Sequence, residues 1–388
     1  MGQEKTNRWL IVFGGVLLQM CLGAIYTWSL FNQPLMDKFG WNSSDVLLTF
    51  SIAIFVFAFS TIFSGRLQDK IGPRKVATIG GILYGGGIML ASKVSSLSGL
   101  YFSYGVLAGT GVGFAYVCPI STLVKWFPHK KGFITGIAVG AFGIGSMVFK
   151  SIIVYLIASK GISGAFFYLG SIYMVLVVFG SQFLKTPPLV TLTKEVVPTE
   201  RKNIKVGQMI KTGNFYIIWV LYFFGCMSGL LVIGLAKDIG IQLVNLTPLV
   251  ATNAVALIAI FNALGRLILG TLSDKFGRMN VVMFMFTLTA LFMFVLALVP
   301  LNFFLFFTSL AGIAFCFGGF LALFPVITSD FFGTKNIGAN YGIVYQAYGL
   351  AAIAVVLIKA FTSLISTFMI SAILAILGIF LTWIISKS

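Results

Sequence analysis

Long apolar runs alternate with short polar breaks along almost the whole chain. Twelve runs come close to the roughly 20 residues needed to cross a hydrocarbon core. They lie at about 9–31, 46–64, 76–95, 98–121, 133–157, 163–184, 213–235, 247–270, 280–299, 302–327, 338–359 and 362–385. Lipid offers the backbone no hydrogen-bond partner, so each run is predicted to be a helix and the chain an all-α membrane protein. The first run is too long, and too poor in a small-residue cleavage site, for a removed signal peptide. The longest polar stretch, 185–211, carries prolines and mixed charge. It predicts a cytoplasmic linker with a short surface helix, joining a six-helix bundle at 1–184 to another at 212–388.

Composition sharpens this picture. Of 388 residues, 59% are hydrophobic and 9% charged, which no soluble domain tolerates. The net charge of +17 suggests nucleic acid, but its placement argues otherwise. Nineteen Lys and Arg, among them Arg8, Arg74, Lys75, Lys130, Lys131 and Lys275, fall on one side of a twelve-span topology. Five, Lys38, Lys93, Lys160, Lys237 and Lys359, fall on the other side or at its edge. The positive-inside rule then places both termini in the cytoplasm, with lipid headgroups rather than nucleic acid beside the basic loops. Cys21, Cys118, Cys226 and Cys316 all fall within runs and form no close motif, so they are expected to pack as small apolar residues.

Arg266 stands out. It lies in AIFNALGRLILG (259–270), where it is the sole charge of an apolar segment. A central arginine costs about 3 kcal/mol on insertion scales unless it meets an anion or a wet cavity. No Asp or Glu lies inside a run: Glu4, Asp37, Asp45, Asp69, Glu195, Glu200, Asp238, Asp274 and Asp330 all fall in loops or at run ends. An intramembrane carboxylate relay therefore has no residues to use. There is no Walker-type phosphate loop, no His/Cys/Asp cluster for a metal and no place for a catalytic dyad, so no cofactor, ATP-driven pump or enzyme is expected.

The halves echo each other. Gly65-Arg-Leu-Gln-Asp69-Lys-Ile-Gly72-Pro-Arg-Lys75 follows the second run, and Gly270-Thr-Leu-Ser-Asp274-Lys-Phe-Gly277-Arg278 follows the eighth, 205 residues later. Repeated halves are the mark of a transporter made by duplication, with its site between the halves near mid-membrane. Here the glycines permit close helix approach. Asp69 and Asp274 can cap a helix start or pair with a basic residue, locking one gate. Gly132, Gly136, Gly140, Gly143 and Gly145 punctuate the fifth run and its entry; they fit either a rocking contact or plain tight packing.

This doubled G-x-L-x-D-[RK]-x-G element resembles the signature loop of the major facilitator superfamily. Longer stretches resemble its oxalate:formate antiporter family, which includes lactate and pyruvate carriers. They are Gly23-Ala-Ile-Tyr26-Thr-Trp28, Gly109-Thr-Gly111-Val-Gly113-Phe-Ala-Tyr116, Lys125-Trp126-Phe127-Pro128, Asn262-Ala-Leu-Gly-Arg266, Leu323-Phe324-Pro325 and Asn340-Tyr341-Gly342. The resemblance implies a twelve-helix secondary carrier in which Arg266 grips a substrate carboxylate. Asn262, four residues earlier, shares its helix face. The other reading of Arg266 is an arginine bonded to helix ends and carbonyls at the interface of the halves. Tyr26, Tyr116, Phe317 and Tyr345 match cavity-lining positions of the family. Tyr348 stands where its oxalate carriers have a lysine, so the second cation of a dicarboxylate clamp is missing and a monocarboxylate (pyruvate, lactate or formate) fits better. Three readings of Lys150 stay open: an interfacial side chain, a lure for anions in the outer vestibule, or a substitute for that lysine.

The expected protein is thus a monomeric secondary active transporter of small monocarboxylate anions in a bacterial or archaeal inner membrane. Its partners would be the anion, a proton or counter-anion, and lipid. The alternatives are an oxalate:formate exchanger and a transport-inactive membrane sensor of carboxylates.

Overall fold

The computed structural model describes residues 7–188 and 203–387. Glu4, residues 189–202 of the expected linker, and the side chains of Lys237 and Asp238 lie outside the described residues. Among the described residues, twelve long helices follow one another. α1 (8–39) runs through Arg8–Gly23, a 3₁₀ turn at Ala24–Thr27, and Ser29–Phe39. Next come α2 (Ser43–Ile71), α3 (Pro73–Ala91) and α4 (Leu97–Trp126), the last with π-helical turns over Tyr101–Ala108. The stretch Lys131–Ser181 breaks at Gly161 (φ 66°, ψ 176°) into α5 (131–160) and α6 (162–181). α7 is Gly213–Val244, α8 Pro248–Phe276, α9 Arg278–Leu298 and α10 Phe303–Phe332. α11 (337–361) is interrupted at Tyr345, between Ile337–Val344 and Gln346–Phe361, and α12 is Leu364–Ser386. A single turn, Val206–Met209, is helical in the described part of the linker.

Ten helical stretches among the described residues are long and apolar enough to cross a membrane, with Lys131–Ser181 counted once. The break at Gly161 and the 19-residue α3 bring the rods to twelve. Local chemistry sets their ends. Asn7 accepts from Trp9 N at the start of α1, Ser96 from Gly99 N at α4, Thr212 from Phe215 N at α7, and Ser363 from Ser366 N at α12. Pro73 and Pro248 occupy first turns, where a missing N–H is harmless.

The repeated motif is helical where a loop was expected. Gly65 and Asp69 lie in the last two turns of α2, Gly270 and Asp274 in the last two of α8. The chain turns only at Gly72 (φ 91°) and Gly277 (φ 87°), a backbone region that side chains with a Cβ rarely enter. So apolar run length understated both helices, because polar residues at a membrane surface lose nothing by staying helical.

Two compact units result: Met1–Pro128 with Ala141–Lys205 and Phe332–Ile343, and His129–Gly140 with Val206–Phe331 and Val344–Ser388. They differ from bundles at 1–184 and 212–388 in two segments. The first turns of α11 pack in the first unit and those of α5 in the second, each held by glycine contacts and a capping carboxylate described below. In the first unit α4 is central and packs on α1, α2 and α3. In the second, α9 packs on α12, and α7 on α8, α11 and α12.

Candidate functional site

Within the second unit, α8 crosses the beginning of α5 through glycines. A Cβ at Gly136 would lie 2.5 Å from Arg266 O, and one at Gly270 2.5 Å from Gly132 O. No side chain larger than hydrogen fits there, so the two backbones touch. Beyond the contact, Asp274 accepts from Gly132 N at 3.0 Å and from Phe133 N at 2.8 Å. It satisfies the orphan donors of the α5 N-terminus and meets its partial positive charge. Arg278 pairs with Asp274 at 2.6 Å and with Asp330 at 3.3 Å, while Lys131 reaches Asp330 at 2.7 Å.

Arg266 lies eight residues, about two turns of α8, before Asp274 and is 3% exposed. Its Nε donates to Asn262 Oδ1 at 2.7 Å, four residues back on α8. Its Nη1 donates to the main-chain carbonyl of Val139 on α5. Neither partner is charged, and no hydrogen-bond partner for Nη2 occurs among the described residues. Asn262, itself 7% exposed, thus acts on the arginine. α8 is also pressed against α10, since a Cβ at Gly318 would overlap Asn262 O.

Three other expected site residues lie in this unit. Tyr345, at the interruption of α11, stacks on Tyr348 (centroids 5.2 Å apart, 27°). Tyr222 of α7 lies 6.4 Å from Tyr345 and stacks on Phe324 at 4.5 Å. Phe317 is buried with its ring against Gly229 of α7.

In the first unit, Tyr26 and Tyr116 are brought together by Phe142 of α5. Tyr26, half-buried in the 3₁₀ turn of α1, meets Phe142 edge-on at 5.5 Å; the buried Tyr116 meets it at 5.2 Å. Phe57 of α2 lies 5.1 Å from Tyr116. Lys150 is exposed on α5 and makes no ion pair among the described residues. The start of α11 crosses α2 here as α5 crosses α8 in the other unit. A Cβ at Gly65 would overlap Gly338 O, and one at Gly342 would overlap Thr61 O. Asp69 accepts from Ala339 N at 2.8 Å and lies 3.4 Å from Lys125.

A family model for the Major Facilitator Superfamily matches residues 11–237 and 228–387, nearly the full chain. The chain belongs to the Major Facilitator Superfamily. Among curated proteins it is 37% identical over 353 residues to an uncharacterized MFS-type transporter, YhjX, of Escherichia coli K12, covering 90% of this chain and 87% of that one. It is 33% identical to the oxalate:formate antiporter of Oxalobacter formigenes, over 89% of this chain and 83% of that one. Identity to the apicoplast pyruvate carrier 1 of Toxoplasma gondii is 24%, over 88% and 82%. Together with the sequence motifs, these relatives place it in the oxalate:formate antiporter-type family. Among solved structures, the proton:xylose symporter XylE superposes with a TM-score of 0.75 at 15% identity, covering 98% of this chain and 96% of that one; at this identity the likeness is one of fold. This facilitator-family chain is an integral membrane protein and a secondary transporter, not an enzyme.

Three features of this transporter escaped the sequence. The Val139 carbonyl is a main-chain group, so no residue identity announces it. Phe142 lies between Gly140 and Gly143, and Tyr222 three residues before Gly225; in a chain that is 15% aromatic, neither spacing singles them out.

Proposed function

We propose that the protein carries small monocarboxylate anions of the pyruvate, lactate or formate class by alternating access, with Arg266 binding the carboxylate. The single observation that carries this is a buried arginine in a membrane helix whose partners are neutral oxygens. Among the described residues this cation has no counter-charge, and a substrate anion supplies one. A guanidinium takes a carboxylate in a planar two-pronged contact that an ammonium cannot copy. The relatives named for formate and pyruvate support the substrate class. Tyr348 at the place of the oxalate carriers' lysine supports one carboxylate rather than two. In this proposal 1–184 and 212–388 are the moving bundles, 185–211 is a cytoplasmic linker, and the protein works as a monomer in a bacterial or archaeal inner membrane with both termini in the cytoplasm. A proton or a counter-anion would be the coupled species. Tyr26, Tyr116, Phe317, Tyr345 and Tyr348 would line the path, and Asp69 and Asp274 would hold the gate.

The 33% identity to an oxalate:formate antiporter favours a second reading, dicarboxylate exchange. That reading needs a second cation, for which Lys150 is the candidate. Uptake of labelled pyruvate, lactate, formate and oxalate into proteoliposomes, with and without a pH gradient, separates the two. The wild type is expected to prefer monoanions, and Tyr348→Lys to shift preference toward oxalate. Robust wild-type oxalate uptake that pyruvate and lactate do not inhibit overturns the monocarboxylate assignment. Absence of uptake of any of the four points instead to a carboxylate sensor without transport.

A further inference from the structure

We propose that the main-chain carbonyl of Val139 is a built-in stand-in for the substrate carboxylate, and that an incoming anion takes its place on Arg266 and so releases α5 from α8. The inference rests on Arg266 as the carboxylate-binding group and goes beyond it by naming what the anion displaces.

The geometry of the guanidinium sets the anion in competition with Val139 O. A two-pronged grip on a carboxylate uses Nη1 with Nη2, or Nε with Nη2. Here Nε is held by Asn262 Oδ1 and Nη1 by Val139 O, and Nη2 alone is uncommitted among the described residues. A side-on grip must therefore break the Asn262 bond, because Nε has one hydrogen, whereas an end-on grip draws on the Nη1 that Val139 O already holds and competes with that oxygen for it. Asn262 lies four residues from Arg266 on the same helix, so its bond moves with the arginine and has no reason to yield. Val139 belongs to another helix, and its oxygen is neutral. A carboxylate is the stronger acceptor for the same N–H. The end-on grip through Nη1 and Nη2 follows, with Asn262 as the positioning residue that keeps the plane of the guanidinium fixed.

The displaced bond is one of the few polar ties of the α5–α8 crossing. Among the described residues the others are the two N–H bonds to Asp274, at the far end. Between them lie the glycine contacts of Gly132, Gly136 and Gly270, which hold by close fit and offer no directional bond. Losing the Val139 bond thus leaves the crossing tied at one end only. Binding of the anion is converted into loosening of a helix pair, which an alternating-access carrier requires of its substrate.

The test places spin labels at M147C and I260C, exposed positions on α5 and α8 past the Arg266–Val139 tie and away from the Asp274 end, with Cys21, Cys118, Cys226 and Cys316 replaced by alanine. Formate or pyruvate is expected to lengthen the label-to-label distance in detergent and in nanodiscs. Arg266→Gln is expected to show the lengthened distance without any anion and no response to one. Arg266→Lys serves as a second variant that keeps the charge and loses the fork. Asn262→Ala should raise KM for monocarboxylate uptake about tenfold while changing the maximal rate far less, the split expected for lost orientation of a binding group. The proposal fails if a saturating anion leaves the distance unmoved in a protein that transports it. It fails equally if Arg266→Gln and Arg266→Lys keep the parental distance without anion. An unchanged or lowered KM in Asn262→Ala shows that Asn262, not Val139, is displaced. If no monocarboxylate is transported at all, the substrate assignment falls, and the anion-free comparison of Arg266→Gln with its parent still decides whether the Val139 bond ties the helices.

Discussion

The crossing of α2 with α11 and the crossing of α8 with α5 are built alike and carry different chemistry. Gly342 touches Thr61 O in one, and Gly136 touches Arg266 O in the other. Thr61 and Arg266 lie 205 residues apart, the same offset as Asp69 and Asp274. In both crossings the side chain at this place donates to a carbonyl of the partner helix: Thr61 to Gly342 O at 3.1 Å, Arg266 to Val139 O. Threonine has a single hydrogen, which it also directs at Ala58 O at 2.7 Å, so its donor capacity is used up within the protein. Arginine has five hydrogens and a full charge, and the protein uses only part of them. The same backbone frame is therefore a finished contact in one half and an unfinished one in the other. Glycines and a carboxylate hold the helices in both crossings; at the matched place, the exchange of threonine for arginine separates a structural crossing from a candidate binding site.

The strongest way to break this contrast is at Arg266. Arg266→Lys should weaken monocarboxylate uptake by about ten- to a hundredfold, the loss of one or two charge-assisted bonds, while the protein still inserts. Uptake kinetics that match the wild type, measured in proteoliposomes with equal protein content, would remove the distinction between the crossings.

The capping carboxylates come next. Asp274 accepts two main-chain N–H bonds and pairs with Arg278 at 2.6 Å, whereas Asp69 accepts one main-chain N–H bond, from Ala339, with Gln68 Nε2 and Lys125 each 3.4 Å away. Asp274→Asn should therefore loosen its crossing more than Asp69→Asn does, by about 1–3 kcal/mol against about 1. Such changes shift a two-state equilibrium by about five- to a hundredfold. The readout is thiol-reagent access, from the side of the membrane bearing the linker, to a cysteine placed at Ala263, together with turnover. Equal effects of the two substitutions would show that Arg278, Lys131 and Asp330 add nothing to the cap.

The smallest effect belongs to Thr61→Val. It removes a donor and leaves a near-isosteric side chain, so a loss of about 1 kcal/mol in stability is expected, with uptake within about threefold of the wild type. Thermal unfolding in detergent and the same uptake assay check it. A collapse of transport comparable to that of Arg266→Lys would mean that both crossings carry substrate-dependent motion equally.

How much of this was legible beforehand differs by residue. The pairing of Arg266 with Asn262 follows from a four-residue spacing on one helix, which the sequence states directly. Tyr26 and Tyr116 were legible as aromatic positions but not as neighbours, because Phe142, which joins them, comes from a third helix. The motif around Gly65 and Gly270 was legible as a repeat and misjudged as loop, since hydropathy reports where lipid ends and not where hydrogen bonding stops.

By itself the sequence determined what depends on neighbours along the chain: twelve apolar runs, their helical state in lipid, the repeated motif, the positive-inside bias and Arg266 as the sole charge of its apolar segment. These are local quantities, set by side-chain transfer energies and backbone hydrogen bonding within one segment. Only the tertiary structure decided that the first turns of α5 and α11 pack in units formed mainly by the opposite halves, that Asp69 and Asp274 cap those turns, and that Arg266 donates to Val139 O. Each of these joins segments more than a hundred residues apart through main-chain atoms. A backbone carbonyl or N–H is the same in every residue, so no pattern of side chains along the chain reveals which one a distant helix will meet.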